Sequence, residues 1–530
     1  MKKDNEQKEN NYVIGRRGFL KGGIFLFLAG FTGSCKGKDN TSTLIWPETA
    51  ENKHFSYKIS GWFGNNYDTA HQFRDGFEPP EPEPDEKKEL VVVGAGLSGL
   101  TVAYKLREMD LLLLEYENET GGNAKSLRRE GKDFNIGSVY FSDVTGDYGN
   151  LYDEIGIKPV EIPAPVETWK IGNKFVNDPF EEENIKSLTP GLRNKMVILK
   201  KAIEEVYNGS YFPEIPYKNT SAKSLELDKI TFSEWLKPYV TEEIKSFIDN
   251  YCYSAMGGSS DTVSAYGGLN FYSSELIGSS YSFSAGNSQI AMALVKGIDK
   301  AGKDRIKTSS YVYKIKQKRD NQILVYYFQN GQARSVEAKK VVLSTPYFIT
   351  SRLIDGLSDG QKEALRSPQY CSYITANLRF NKIVSFDSYL TTTPDAGAFT
   401  DFADTGWPKK SQNLAGKGEG QIITCFAAYK KPVMGRCHML LESREHVAER
   451  IVKAFEKILP GTTKYLEEVY LTRWGHAIII NRPYMYTKWL PVIEKKIGSI
   501  YLSHSDGQGL PAMEYSLGEA FSTVKEIRNS

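Results

Sequence analysis

Leu90-Val91-Val92-Val93-Gly94-Ala95-Gly96-Leu97-Ser98-Gly99 is the stretch that decides the fold. A short continuous apolar run, Leu90–Val93, reads as a strand buried on both faces, as in a parallel sheet. Gly94 permits the tight turn that follows it. Gly96 lets a pyrophosphate approach the backbone, and Gly99 lets the next helix pack closely on the strand. That helix is expected from Leu97 to about Met109, with unpaired N–H groups at Leu97 and Ser98 and a positive dipole end for phosphates. GxGxxG alone is a weak motif; between a strand and a helix it marks a dinucleotide site.

A second apolar strand, Leu111-Leu112-Leu113-Leu114, ends in Glu115, about 21 residues after Gly94. A carboxylate there accepts hydrogen bonds from adenosine ribose hydroxyls and disfavours a 2′-phosphate. Further on, helical periodicity is expected over 190–206, 240–252, 288–300 and 443–458. Strands are expected near 322–328, 340–345, 373–379, 421–428, 468–473 and 499–503.

Composition sets the class. The chain has 530 residues, 40% apolar and 25% charged, which suits a folded protein with a large core. Its net charge is +2, from 67 basic and 65 acidic residues. Without residues 1–34 the balance is 61 basic to 62 acidic, so nothing marks a nucleic-acid binder. Cys35, Cys252, Cys371, Cys425 and Cys437 are scattered without CxxC or CxxCH. That argues against a zinc site, a dithiol motif or covalent haem, and no metal ligands are assigned.

The beginning of the chain reads as an address. Gly15-Arg16-Arg17-Gly18-Phe19-Leu20-Lys21 resembles the twin-arginine export motif and precedes an apolar run, Gly22 to Gly33, too short for a comfortable membrane span. Thr32-Gly33-Ser34-Cys35 resembles a lipoprotein cleavage site, which makes Cys35 a candidate lipid anchor. The expected location is the periplasm, free or tethered to the membrane. Residues 36–88 read as an arm with aromatics around Trp62–Phe73, followed by an acidic Pro-rich linker at Glu78–Asp85.

The segment after Glu115, Gly121-Gly122-Asn123-Ala124-Lys125-Ser126, resembles the glycine doublet of the flavin amine oxidase superfamily. Later blocks continue that resemblance in order: Ser284–Ile290, Ser309–Ile315, Val341–Pro346, Gly498–Asp506 and Pro511–Tyr515. The resemblance implies FAD as cofactor. It implies a glutathione reductase-type Rossmann-like α/β domain interleaved with an α+β, amine oxidase-like substrate domain. The FAD-binding parts are expected at 89–140, 286–350 and 471–530, and the substrate parts at 141–285 and 351–470. The family's arginine after the doublet is Asn123 here, with Lys125 as a substitute cation.

By the same resemblance, the Val312 backbone contacts adenine, Asp506 lies near the pyrophosphate or ribityl chain, and the Met513 N–H points at the flavin. Arg473-Trp474-Gly475-His476, together with the arm Asp68–Gly76, is similar to the spermidine dehydrogenase-like subgroup. Trp474 is then expected beside the flavin, and His476 as a general base or substrate-orienting group. Some members of that subgroup carry haem; His71 is the candidate ligand, although no motif indicates one. The resemblance implies an amine or polyamine dehydrogenase passing hydride from the carbon next to nitrogen to flavin N5, with an electron acceptor that no motif identifies.

Two other roles share this fold. One is a desaturase or oxidase of isoprenoid or polycyclic substrates; the other is a non-catalytic electron-transfer subunit. Acidic residues at the cavity ends would favour polyamines, and a wide apolar cavity would favour lipids. Aromatics at Tyr251, Tyr253, Tyr266, Phe271 and Tyr272 are expected either to line that cavity or to pack the core.

Overall fold

A computed structural model describes residues 55–64, 66–318, 322–384, 388–410 and 420–530. The twin-arginine motif, the apolar run and Cys35 lie outside the described residues. Two sheets organise the rest.

The first sheet has the strand order Ile306–Lys307, Leu111–Leu114, Glu86–Val93, Gln332–Leu343, Ile323–Gln329 and Ser310–Gln317, with Ile500–Leu502 also on Gln332–Leu343. The first four strands and Ile500–Leu502 run parallel, and the others close an antiparallel meander. Leu90–Val93 and Leu111–Leu114 are buried because helices cover one face and the meander with its flanking helices covers the other. The helix layer contains Leu97–Lys105, Ser288–Ala301 and Met513–Arg528, which interlock through Leu100, Ala103, Leu294, Leu517 and Ala520.

Two boundaries differ from the sequence reading. The helix after the glycine loop ends at Lys105 rather than near Met109, because a turn through Leu106 must bring the chain back into Leu111. The first strand begins at Glu86, four residues before the apolar run. Its leading residues carry no apolar signal because they lie beyond the helix layer, where Glu86 pairs with Lys307 at 2.5 Å and Lys87 with Glu337 at 2.8 Å.

The second sheet has the order Lys58–Gly64, Leu466–Trp474, Tyr373–Phe380, Ile422–Ala428, Asp401–Asp404, Leu390–Thr392, Glu167–Ile171 and Lys174–Asn177. Its faces separate by the strand period: Tyr470 joins the core under the helices Pro190–Tyr207, Glu242–Met256 and Ala265–Ile277. Leu471 faces Arg444–Ile458 on the other side.

The arm is the edge of this sheet. Lys58–Gly64 runs parallel to Leu466–Trp474, and Ser60 donates to Glu468 at 2.6 Å. The arm helix, Asp68–Arg74, then places Phe73 on the meander, 4.6 Å from the Tyr311 ring and 5.3 Å from that of Tyr313. The Pro-rich run continues along the meander: Tyr313 donates to the Pro80 carbonyl, Ser335 to that of Pro82, and Lys314 pairs with Glu81. Phe73→Ala is expected to loosen the arm by about 1–2 kcal/mol. Limited proteolysis should then cut within 66–85 faster than in the parent.

Candidate active site

The glycine loop forms a cradle that side chains would fill. Gly94 has φ +99°, and a Cβ there would sit 2.5 Å from the Ser344 carbonyl oxygen. A Cβ on Gly99 would overlap the Gly94 carbonyl oxygen. Gly96 faces open space, with only the Gly122 Cα within 4.0 Å of a built Cβ. Gly122, at φ +55°, comes in from the doublet, which is stitched to the loop by the Gly121 N–H donating to Ala95 O at 2.8 Å. The structure therefore brings Gly94, Gly96, Leu97, Ser98, Gly99, Gly121 and Gly122 to one place. Ser98 Oγ additionally bonds Ser503 Oγ at 2.8 Å, tying the loop to the end of the last strand.

Two helix N-termini at this cradle lack a capping side chain. Leu97–Lys105 starts behind Gly96, and Met513–Arg528 starts behind Ala512. Six other helices are capped by Ser221, Thr231, Thr241, Ser264, Ser358 and Ser443, whereas others, Gly146–Ile155 and Pro190–Tyr207 among them, also lack a side-chain cap. Uncapped N–H groups with a positive dipole end suit the two electron-rich parts of FAD, its diphosphate and its flavin carbonyls.

On the adenosine side, Glu115 Oε2 accepts from the Ala95 N–H at 2.6 Å and Oε1 from that of Glu117 at 2.8 Å. Burial raises its pKa, and Lys125 opposes that rise. Lys125 thus serves the carboxylates of Glu115 and Glu117. Val312 sits at a register irregularity between Val312 and Lys314, where the meander ladder is interrupted. The donor set fits FAD: an uncapped helix end, an open glycine loop and a ribose carboxylate stand in the order the cofactor requires.

At the other end, Asn123 Nδ2 donates to the Ala477 carbonyl at 2.7 Å. The residue that replaces the family's arginine joins the doublet to the Trp474–Ala477 turn. Trp474 is buried, its Nε1 donating to Ile136 O at 2.8 Å. A Cβ on Gly475 would meet nothing within 4 Å. His476 stacks on Phe348 at 4.4 Å, and burial together with Arg436, Arg352 and His71 pushes its pKa down to about 3. Its imidazole is neutral throughout the physiological range. Asp506 is buried and engaged by protein: it accepts from Tyr347 N at 3.0 Å and from the Tyr370 hydroxyl, and it lies 3.1 Å from His504 Nδ1.

Beyond this end lies a cluster of acidic side chains that the sequence reading missed. Segment 137–142 leads into it, since Ser138 N donates to Asn123 O and Ser142 donates to Glu514 at the start of the last helix. Between them Tyr140 donates to Glu275 Oε2 at 2.9 Å, with Tyr389 at 6.1 Å. Glu275 comes from Ala265–Ile277, and Asp401 and Glu167 come from two strands of the second sheet.

Burial pushes Glu275 up to about 8 and Asp401 up to about 7, and raises Glu167. Each keeps neutral donors: Thr400 Oγ1 to Asp401 at 2.6 Å, and Trp169 Nε1 and Thr392 Oγ1 to Glu167 at 2.8 and 2.9 Å. No Lys, Arg or His among the described residues forms an ion pair with any of the three. Tyr251 stands beside Glu275, and the Tyr272 hydroxyl, next to this group, has no hydrogen-bond partner. Of the expected lining aromatics, Tyr251 and Tyr272 stand here, and Phe271 lies 6.1 Å from Tyr515. Tyr266 packs in the core against Tyr486.

These acids carry a pH signature. Between their ordinary values near 4 and the values of about 7 and 8, the folded chain holds more protons than the unfolded one. Their contribution to stability is therefore present in acid and lost as pH rises towards 8. Unfolding free energy is expected to fall more steeply between pH 5 and 8.5 in the parent than in Glu275→Gln, by up to about 1.4 kcal/mol per pH unit. Denaturant titrations across that range check the difference.

A family model described as flavin containing amine oxidoreductase matches residues 97–504. A probable flavin-containing monoamine oxidase A of Dictyostelium discoideum is 26% identical over 173 residues, 31% of this chain and 36% of that protein. A mitochondrial protoporphyrinogen oxidase of Nicotiana tabacum is 31% identical over 80 residues, 15% of this chain and 16% of that one. The matched stretch spans about a third of the first relative's length.

Among solved structures, cyclohexylamine oxidase from Brevibacterium oxydans superposes with a TM-score of 0.65 at 13% identity, covering 83% of this chain and 100% of that one. Putrescine oxidase bound to putrescine gives 0.65 at 16% identity, covering 84% and 99%. At such identities the likeness is one of fold.

Proposed function

The chain belongs to the family of flavin-containing amine oxidoreductases, and from that membership we propose that this FAD-dependent oxidoreductase oxidises an amine bearing a second, cationic nitrogen, of the diamine or polyamine class. The observation that carries the reading is the group Glu275, Asp401 and Glu167, in which Asp401 is buried, the other two are half-buried, and no basic partner is found among the described residues. A buried carboxylate left unpaired is costly, and a cationic ligand is the partner that would relieve it.

When bound, FAD supplies the two-electron acceptor for oxidation of the carbon next to nitrogen. The chain's own residues bind and orient. Glu275 and Asp401 hold the distal ammonium, and the walls of Tyr140, Tyr251 and Tyr389 keep water from it. The reacting nitrogen is thereby directed to the Asn123–Ala477 end of the cradle, where it must arrive uncharged. His476, neutral and stacked on Phe348, shapes that end.

Cation binding would draw Glu275 and Asp401 into their ionised forms, so amine affinity should rise between pH 6 and 8.5. The experiment is anaerobic titration of the purified flavoprotein with putrescine, spermidine and a monoamine panel. Bleaching of the flavin band by the first two supports the reading, and no bleaching by any amine refutes it.

We also propose export by the twin-arginine route with Cys35 as the anchor. The reading is supported by Arg16-Arg17, the apolar run and the cysteine that follows it. Fractionation of cells expressing the full chain, and of Arg16→Lys/Arg17→Lys and Cys35→Ser variants, tests it.

A further inference from the structure

The helix Pro432–Leu441 lies against the body on one side only. Gly435 and Met439 are buried, with Gly435 packed at Ser372 and Tyr429. At about 100° per residue, the side opposite them carries Val433, Met434, Cys437, Leu440 and Leu441. Val433 is 53% exposed, Met434 38%, and Leu440 and Leu441 37% each. These four are the densest group of exposed large apolar side chains among the described residues.

Cations border the strip. Exposed Lys430 and Lys431 precede it, while Arg436 on its flank turns inward to the Tyr370 carbonyl and His438 lies 3.2 Å from Glu442. No carboxylate occurs from Lys430 to Leu441. Among the described residues, Lys430, Lys431 and Arg436 enter no ion pair; Arg436 Nη1 donates only to the Tyr370 carbonyl, at 3.2 Å.

We propose that this face docks on an anionic lipid surface. Two features favour lipid over a protein partner. The strip is aliphatic and presents no hydrogen-bonding side chain, whereas protein interfaces concentrate aromatic and arginine anchors with a satisfied polar rim. Its cations stand at the borders, where a helix lying in the headgroup plane places them. The helix rests on the surface and does not cross it; no helix among the described residues is long and apolar enough to span a membrane. It also sits next to the flavin end of the cradle, since Arg473 Nη1 donates to the Met439 carbonyl at 3.1 Å.

The test uses the full chain and reads this helix locally. In Leu440→Trp, the added tryptophan emission (the difference from the parent) is followed with phosphatidylcholine–phosphatidylglycerol vesicles, brominated and not. The proposal expects a blue shift and quenching by the brominated lipid. Both should weaken at least tenfold in vesicle concentration when Lys430→Glu/Lys431→Glu is added, at high salt, or with pure phosphatidylcholine. The charge reversal leaves the packed side of the helix untouched, and unchanged circular dichroism confirms its fold. Absence of quenching overturns the proposal and leaves the face to a protein partner. Quenching unaffected by the charge reversal overturns it as well.

Discussion

If the proposed diamine or polyamine reading holds, Glu275→Gln is expected to raise the KM for such a substrate by about 30-fold or more and to leave kcat within a few-fold, while a monoamine without a distal charge should lose little. Removing one member of a buried, hydrogen-bonded charge pair costs roughly 2–5 kcal/mol. In the proposed reading the second member is the substrate, so the cost should appear as lost binding. The amide keeps the volume and can still accept from Tyr140, which confines the change to charge. Because the affected ammonium lies away from the reacting carbon, the loss is one of uniform binding and belongs in KM. Asp401→Asn should behave alike, and the two effects should not add, since both carboxylates belong to one cluster around Tyr140. Steady-state kinetics on paired diamine and monoamine substrates check this; equal losses on both would refute the assignment.

Gly99→Ala should yield protein that purifies with little or no FAD. Its new methyl would overlap the Gly94 carbonyl oxygen, so the loop and its helix cannot both stay in place. Overpacking of this kind costs about 1–3 kcal/mol, roughly 5- to 150-fold in FAD affinity if the displaced loop bears the loss. The ratio of flavin to protein absorbance after dialysis reads it directly. Ser98→Ala removes one hydroxyl bonded to Ser503 without adding bulk, and should retain most of the cofactor.

The cofactor half of this architecture was legible because its signals are local. Leu90–Gly99, Glu115 and the doublet each declare a backbone conformation or a charge at a fixed spacing. The acidic cluster was harder. Glu275, Asp401 and Glu167 come from a helix and two strands far apart in sequence, and only the second sheet makes them neighbours. One signal was there: from Thr262 to Val295, Glu275 is the only charged residue. A lone carboxylate in so apolar a stretch is either at the surface or kept for a ligand.

The role of Asn123 was not readable either, because its partner, the Ala477 carbonyl, lies 354 positions away. His476 illustrates the opposite limit. Imidazole near neutrality suggests a base, but burial and the neighbouring Arg436 and Arg352 push its pKa down to about 3 and make it a weak one.

The arm strand has a consequence for how the chain is made. Synthesis runs from the amino end, and Ser60 emerges 408 residues ahead of Glu468, to which it bonds. For nearly the whole of translation Lys58–Gly64 has no edge to join. Its place beside Leu466–Trp474 exists only once the second sheet has been assembled from segments as late as residue 474. Docking of the arm is therefore set by topology to come late: Lys58–Gly64 can close the sheet only after its partner strand has been made.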